Sequence, residues 1–365
     1  MGDSVLARLS LIDCKVQLAK PYHLSFDVLN RFDVFYVLME DEDTFGIGEI
    51  TPLPGYGHET PADIVRAVGV FGKWIREGLG LQDSASELWG KAPFTASGIA
   101  CAIETLAPAP DQWFETPAPC HADLVALCPG TTPEEAGMSA ERLAGEGYRT
   151  LKMKVGGLSP KDDAERVKAA AEHLTAGVRL RLDANQALSM EPARMFCDAL
   201  EDVAGSIEYL EQPFGREAWT LHEELASAVS VPIMLDESIW SLEDVRRAAD
   251  CGARAVKLKL CKHPGMKGTR DMVAEVRRLG LDVVYGNGVQ SALGNHLEMI
   301  SYCEAKLTTA FEGNGFLKPV CSPIPHTFSV RGGKLMDGGL RDVRGSLRAG
   351  KVVFSMEFPR GLLNG

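Results

Sequence analysis

Cationic residues are in deficit: 38 lysines and arginines stand against 50 aspartates and glutamates, for a formal net charge of -12. That balance argues against nucleic acid or an anionic membrane as the main partner. No Cys-x-x-Cys pair occurs among the nine cysteines, which run from Cys14 to Cys321. A zinc cluster or dithiol redox site is therefore not expected, and the cysteines read as reduced, buried core residues of a cytoplasmic protein. No His-x-His occurs either, which disfavours a two-metal hydrolase. No apolar run is long enough to span a bilayer. The opening Met1-Gly2-Asp3-Ser4-Val5-Leu6 has no basic segment leading into an apolar one, so no secretory signal is expected, and Leu6 fails the myristoylation pattern.

What is present is an ordinary globular composition, 45% hydrophobic and 24% charged over 365 residues. That length suits two domains or one barrel with an attachment. Strand-like alternation spans residues 32–39 and 45–50. Loops are expected near residues 20–26 and 52–58, the second dense in turn formers. Helical periodicity covers 61–79 and 95–105. A proline-rich stretch from Pro108 to Pro119 then reads as a boundary.

Beyond it, short apolar strands alternate with amphipathic helices that open on caps at Thr131-Thr132, Ser159 and Ser241. Strands are expected at 122–127, 150–155, 178–183, 207–210, 233–236, 255–260, 283–286 and 308–312. Polar residues Lys154, Asp183, Glu211, Asp236, Lys259, Asn287 and Glu312 recur at corresponding places, 23 to 29 residues apart. One strand and one helix per step is the signature of a parallel barrel. The expected architecture is α/β: a (β/α)7β TIM-type barrel with an N-terminal α+β capping domain that the C-terminal tail completes. The boundaries are 1–118 for the cap, 119–326 for the barrel and 327–365 for the returning segment.

Side-chain parity sharpens this picture. Lys152 and Lys154 share one strand face, as do Arg181, Asp183 and Asn185, and again Lys257 and Lys259. These residues fall at the carboxyl ends of the strands, where barrel active sites lie. Asp183, Glu211 and Asp236 end three consecutive strands and would set three hard oxygen ligands on one rim, which suits Mg²⁺, with Mn²⁺ as a substitute. Each acid could instead cap a helix or pair with an arginine, and any one lysine could simply reach solvent. The lysines flank the acids on both sides. Desolvation and nearby cations lower a lysine pKa and supply a neutral amine, while Mg²⁺ stabilises the enediolate formed when a proton leaves the carbon next to a carboxylate.

Four strings carry a resemblance: Leu151-Lys152-Met153-Lys154-Val155, Arg181-Leu182-Asp183-Ala184-Asn185-Gln186, Tyr209-Leu210-Glu211-Gln212-Pro213-Phe214 and Pro232-Ile233-Met234-Leu235-Asp236-Glu237-Ser238. Together with residues 46–56 and Glu59-Thr60, they resemble the enolase superfamily, in its mandelate racemase and muconate-lactonizing branch. The resemblance implies Asp183, Glu211 and Asp236 as metal ligands, Lys154 as one catalytic lysine and Lys152 as its helper. The family's Lys-Leu-x-Lys pattern matches Lys259-Leu260-Cys261-Lys262 and implies Lys259 as the opposite base, although Lys257 has the same parity. Substrate contacts are expected from Glu312, Asn314, Asn185, Asn287, Tyr56 and His23, with Tyr22 and His58 as further loop candidates. Glu312-Gly313-Asn314 lacks the second acid of a dipeptide epimerase, yet Glu312 could hold a cationic nitrogen. The expected reaction is racemisation or epimerisation of an amino-acid derivative. Dehydration or cycloisomerisation of a carboxylic acid is the alternative, and a Schiff-base aldolase a distant one. The partner is a small-molecule carboxylate, and a homo-oligomer is expected.

Overall fold

The computed structural model describes residues 6–23, 28–53, 56–107, 111–348 and 350–364, without the side chains of His23, Asp111, Gln112 and Asn364. The chain opens on three antiparallel strands, β1 (Leu6–His23), β2 (Val28–Glu40) and β3 (Phe45–Ile50). Helices α1 (Pro61–Arg76), α2 (Leu81–Trp89), α3 (Pro93–Glu104) and the short α4 (Asp111–Phe114) follow. Neither β1 nor α2 is evident in the sequence. The reason for β1 is that it buries one face and then the other: Leu9 and Leu11 pack into one core cluster, whereas Ile12, Val16 and Leu18, of opposite parity, pack into another. No single face is apolar along the whole strand, so one period-two stripe is not visible in the sequence. β1 also runs to His23 and so occupies the first part of the expected 20–26 loop; residues 24–27 lie outside the described residues, as do Pro54 and Gly55 of the second loop and residues 108–110 of the proline-rich stretch.

Next come β4 (Ala122–Asp123), β5 (Val125–Leu127), α5 (Pro133–Gly145), β6 (Thr150–Lys154), α6 (Pro160–Glu172), β7 (Arg179–Asp183) and α7 (Met190–Ala199). The alternation continues with β8 (Ile207–Glu211), α8 (Trp219–Ala228), β9 (Ile233–Leu235), α9 (Leu242–Asp250), β10 (Ala255–Lys259), α10 (Gly265–Arg278), β11 (Asp282–Gly286) and α11 (Ala292–Glu304). β5 to β11 form one parallel sheet in sequential order. No strand forms over the expected 308–312; an isolated bridge at Phe311 closes the sheet instead, with Phe311 exchanging backbone hydrogen bonds with Asp123 (2.7 Å) and Val125 (2.9 Å) and Glu312 N donating to the Tyr285 carbonyl (3.0 Å). Thr132, Ser159 and Ser241 cap α5, α6 and α9 with their side chains, as their positions predict.

The tail divides. β12 (Ser329–Arg331) and β13 (Lys334–Met336) form a hairpin on β4, and after α12 (Val343–Leu347) the last strand, β14 (Lys351–Pro359), pairs antiparallel with β1 and completes the cap sheet. Two acids of the cap fasten it to the barrel mouth. Glu49 accepts from Ser291 N (2.6 Å) and Gly294 N (3.0 Å) at the start of α11, and Glu104 accepts from Met266 N (2.7 Å) and Lys267 N (2.9 Å) at the start of α10. Free amides and the helix dipole favour a carboxylate there. Between cap layers, a Cβ on Gly48 would overlap the Gly98 carbonyl, so glycine permits α3 to lie directly on β3.

The cysteines depart from the expectation of a wholly reduced, buried set. Cys120 and Cys303 form a disulfide between the segment before β4 and α11, with a Cα separation of 5.7 Å, and Cys321 is exposed. The two partners are 183 residues apart, and no local spacing marks them.

Glu298 in α11 is wholly buried, with Oε1 unpartnered and Oε2 accepting from Asn295 (2.9 Å). Burial pushes its carboxyl well above the usual carboxylate range. A carboxyl whose pKa is raised on folding favours the fold while protonated, and the advantage is lost as pH rises from about 4.5 through the folded value. Glu298→Gln is therefore expected to raise the melting temperature more at pH 8 than at pH 5. Equal shifts at both pH values would contradict the assignment.

Candidate active site

The parallel register sets the carboxyl ends of four strands side by side. Lys154 pairs with Asp183, and Asp183 with Glu211; Met234 pairs with Glu211, so Asp236, two residues on, points to the same face. The structure thus brings Asp183, Glu211 and Asp236 onto one rim, all buried. Lysines stand among them. Lys152 Nζ lies 2.8 Å from Asp183 Oδ2, 2.8 Å from Glu211 Oε2 and 3.1 Å from Glu312 Oε2. Lys154 Nζ lies 2.7 Å from Asp183 Oδ2 and also meets Asn185 Oδ1, with its side chain 56% exposed. At the far end, Lys259 Nζ lies 2.8 Å from Asp236 Oδ2.

The electrostatics follow from this crowding. Burial opposes ionisation of Asp183, but Lys152, Lys154 and Lys257 outweigh it and hold the carboxyl below its usual range. The same contest holds Asp236 down through Lys259, Lys262 and Lys257. Glu211 goes the other way: burial and the neighbouring Asp183 raise it against Lys152 and Lys257. Burial and the charges of Asp236 and Asp183 push Glu237 up to about 7. The lysines correct a sequence expectation. Burial alone would lower Lys152 and Lys259, yet the acids beside them prevail and raise both. A cation on the acids would offset that negative field and favour the neutral amine.

The donor set suits a hard divalent cation. The three acids offer buried carboxylate oxygens without histidine or thiolate, and Glu211 Oε2 has the Lys152 ammonium 2.8 Å away as its counter-charge. Among the described residues no three acidic, histidine or cysteine side chains enclose an ion site as they stand, because ammonium groups lie between the acids.

The candidate substrate contacts sort differently. Tyr56 reaches into the site: its hydroxyl donates to Asp236 Oδ1 (2.8 Å) and accepts from Lys259 (2.9 Å). Asn185, at a left-handed φ of 43°, also donates to Glu237 Oε1 (3.3 Å). Asn287 has a buried Nδ2 without a partner, close to Val289, whose φ of 69° is strained for a β-branched residue. Asn314 precedes the 3-10 turn Gly315–Leu317 and is not a partner of the acids among the described residues. The side chain of His23 lies outside the described residues. Tyr22 lies under the Lys318 ammonium (4.7 Å), which lowers its hydroxyl pKa with help from Lys154, Lys152 and Lys259. His58 is exposed.

Glu312 needs a correction. It is not a free acid awaiting a cationic nitrogen, because Lys152 (3.1 Å), Lys257 (2.8 Å) and Arg181 (3.3 Å) already share its carboxylate. Those three cations hold it well below its usual pKa despite burial. Sequence reasoning also passed over Gln212 and Lys262. Gln212 accepts from Asp236 N (2.9 Å) and donates to Ser238 Oγ (2.8 Å), which locks the end of β8 to Asp236. Lys262 donates to the Asp236 carbonyl (2.6 Å). Both stand within the quoted motifs, and that adjacency is the available signal.

A family model described as Enolase C-terminal domain-like matches residues 135–335. The chain belongs to the enolase superfamily. It is 29% identical over 164 residues to the L-Ala-D/L-Glu epimerase of Bacillus subtilis (strain 168), a match covering 45% of each chain. It is 33% identical over 226 residues to the o-succinylbenzoate synthase of Thermosynechococcus vestitus, covering 61% of this chain and 66% of that one. The matched segments thus span less than two thirds of either relative's length. The fold agrees over a greater length: a dipeptide epimerase from Cytophaga hutchinsonii, complexed with Mg and D-Ala-L-Val, superposes with a TM-score of 0.78 at 18% identity, covering 97% of this chain and all of the other. The relatives matched in sequence are named an epimerase, a synthase and a cycloisomerase.

Proposed function

We propose that this enzyme removes the proton α to the carboxylate of a small molecule and returns one on the opposite side, as a racemase or epimerase. The carrying observation is the pair of lysines at the two ends of one acidic arc, Lys154 on β6 and Lys259 on β10. Each is within about 3 Å of an acid, at 2.7 Å from Asp183 and 2.8 Å from Asp236, and so borders the place where a substrate carboxylate would bind. Asp183, Glu211 and Asp236 would hold a divalent cation, Mg²⁺ by the hardness of their oxygens. When bound, that cation would offset the charge that develops on the substrate carboxylate as the proton leaves. It would also relieve the acids' hold on Lys259, which otherwise keeps that lysine protonated. Tyr56 would cover the site, through its hydroxyl on Asp236 and Lys259.

The engaged state of Glu312 bears on the substrate. With three cations on that carboxylate, no acid of the last strand is left for an ammonium group. The reading is therefore an amino-acid derivative whose nitrogen is uncharged. The same observation favours a second reading, loss of a β-substituent from a carboxylic acid, in which one lysine abstracts the proton.

The test is proton NMR in D₂O with Mg²⁺ and a panel of N-modified amino acids, dipeptides and hydroxy acids. Deuterium is expected at the α-carbon of at least one acid, and its appearance must stop when EDTA is added. A panel without any exchange would overturn the reading.

A further inference from the structure

Lys257 has no role in the reaction as proposed, yet it is the most enclosed ammonium of the acid cluster apart from Lys262. It lies on β10 two residues before Lys259 and shares its face. Its side chain is 1% exposed, and Nζ lies 2.5 Å from Glu211 Oε1, 2.8 Å from Glu312 Oε2 and 4.0 Å from Asp236 Oδ2. The neighbouring strand makes room for it. A Cβ on Gly286 would lie 2.8 Å from Lys257 Cδ and 3.2 Å from Cγ, so only glycine leaves space for the lysine stem.

The far side of the ammonium is braced as well. Glu312 is tied to Arg181, which is fully buried and fixed by Glu208 (2.9 Å) and the Ala310 carbonyl (3.0 Å). Charges therefore alternate across the barrel in the order Arg181, Glu312, Lys257, Glu211. A lysine held at both ends and cradled by glycine is a fixed part of the floor of the site.

We propose that Lys257 is a built-in counter-cation that competes with the divalent metal for Glu211, with Glu312 as the anchor that limits how strongly it competes. This rests on the metal reading above. An ion on Glu211 either shares Oε1 with the Lys257 ammonium or takes Oε2 of the same carboxylate, beside Lys152, and in both places it lies a few ångströms from the Lys257 charge, where like charges in a buried site repel strongly. Glu312 restrains that competition, because it draws the ammonium away from Glu211 and adds a negative charge nearby. Lys257 is thus a positioning residue, and it keeps metal binding weaker than three buried carboxylates would otherwise make it.

The experiment is calorimetric titration of Mg²⁺ into the full-length wild type, Lys257→Met and Glu312→Gln, with thermal melts to establish folding. Lys257→Met is expected to bind Mg²⁺ at least about tenfold tighter than wild type. A merely structural role predicts the opposite, since a disordered site binds more weakly. Glu312→Gln is expected to bind at least about tenfold more weakly. Equal or weaker binding by folded Lys257→Met overturns the proposal. If that variant does not fold, equal or tighter binding by Glu312→Gln overturns it. Should neither wild type nor Lys257→Met bind Mg²⁺, the metal reading itself fails and this inference falls with it. Binding by wild type with no gain in Lys257→Met removes the inference alone.

Discussion

Replacing Glu211 with glutamine is expected to abolish Mg²⁺-dependent α-proton exchange, with a loss of at least about a thousandfold. Glu211 is the middle acid of the three and is wholly buried. Its two oxygens face Lys257 at 2.5 Å and Lys152 at 2.8 Å, so an amide there would remove a proposed ligand and leave two buried ammonium groups facing a neutral side chain. Removal of one partner from a buried ion cluster typically costs about 3–5 kcal/mol. The variant should therefore melt well below wild type. That loss of stability and the loss of metal binding separate cleanly in one measurement. Saturating Mg²⁺ should raise the melting temperature of wild type, because a ligand that binds only the folded state stabilises it, and should leave Glu211→Gln unmoved. A variant still stabilised by Mg²⁺ would remove Glu211 from the ligand set.

The second large effect separates the two lysines. Lys154→Ala and Lys259→Ala are each expected to lower epimerisation by about 10²–10⁴-fold, the usual worth of a positioned acid or base. Their exchange behaviour should differ. With two bases on opposite faces, each single variant should keep α-proton exchange from one enantiomer and lose it from the other. Equal loss for both enantiomers in one variant, with the other variant active, points instead to one-base elimination. The exposed Lys154 can be truncated without opening the core, whereas Lys259 contacts Asp236 and Tyr56. Lys259→Gln is the gentler companion and should show the same enantiomer bias as Lys259→Ala.

The barrel was legible because its repeat is written in one dimension. Each βα step brings a polar residue to the same strand end, and parity along a strand fixes which side chains share a face. The helix caps at Thr132, Ser159 and Ser241 were legible for the same reason, since each acts within its own turn. β1 was not, because its apolar residues change parity between Leu11 and Ile12 as the strand buries first one face and then the other. The state of Glu312 was not, because its partners Lys152 and Arg181 lie 160 and 131 residues away.

By itself, then, the sequence determined the alternating βα architecture, the three acids at successive strand ends and the lysines on either side, since all of these depend on local period and parity. Only the tertiary structure decided what each charge faces. Lys257 and Lys259 are indistinguishable by parity, yet two residues along a strand is about 6.6 Å, enough to bury one ammonium between Glu211 and Glu312 and to leave the other beside Tyr56 at the mouth. Closing the barrel brought Glu312 against Arg181 and turned an apparent substrate contact into an anchor for the protein's own cations. Folding likewise joined Cys120 to Cys303. Coulomb interactions and covalent bonds depend on distance in space, and barrel closure sets distances that spacing along the chain does not encode.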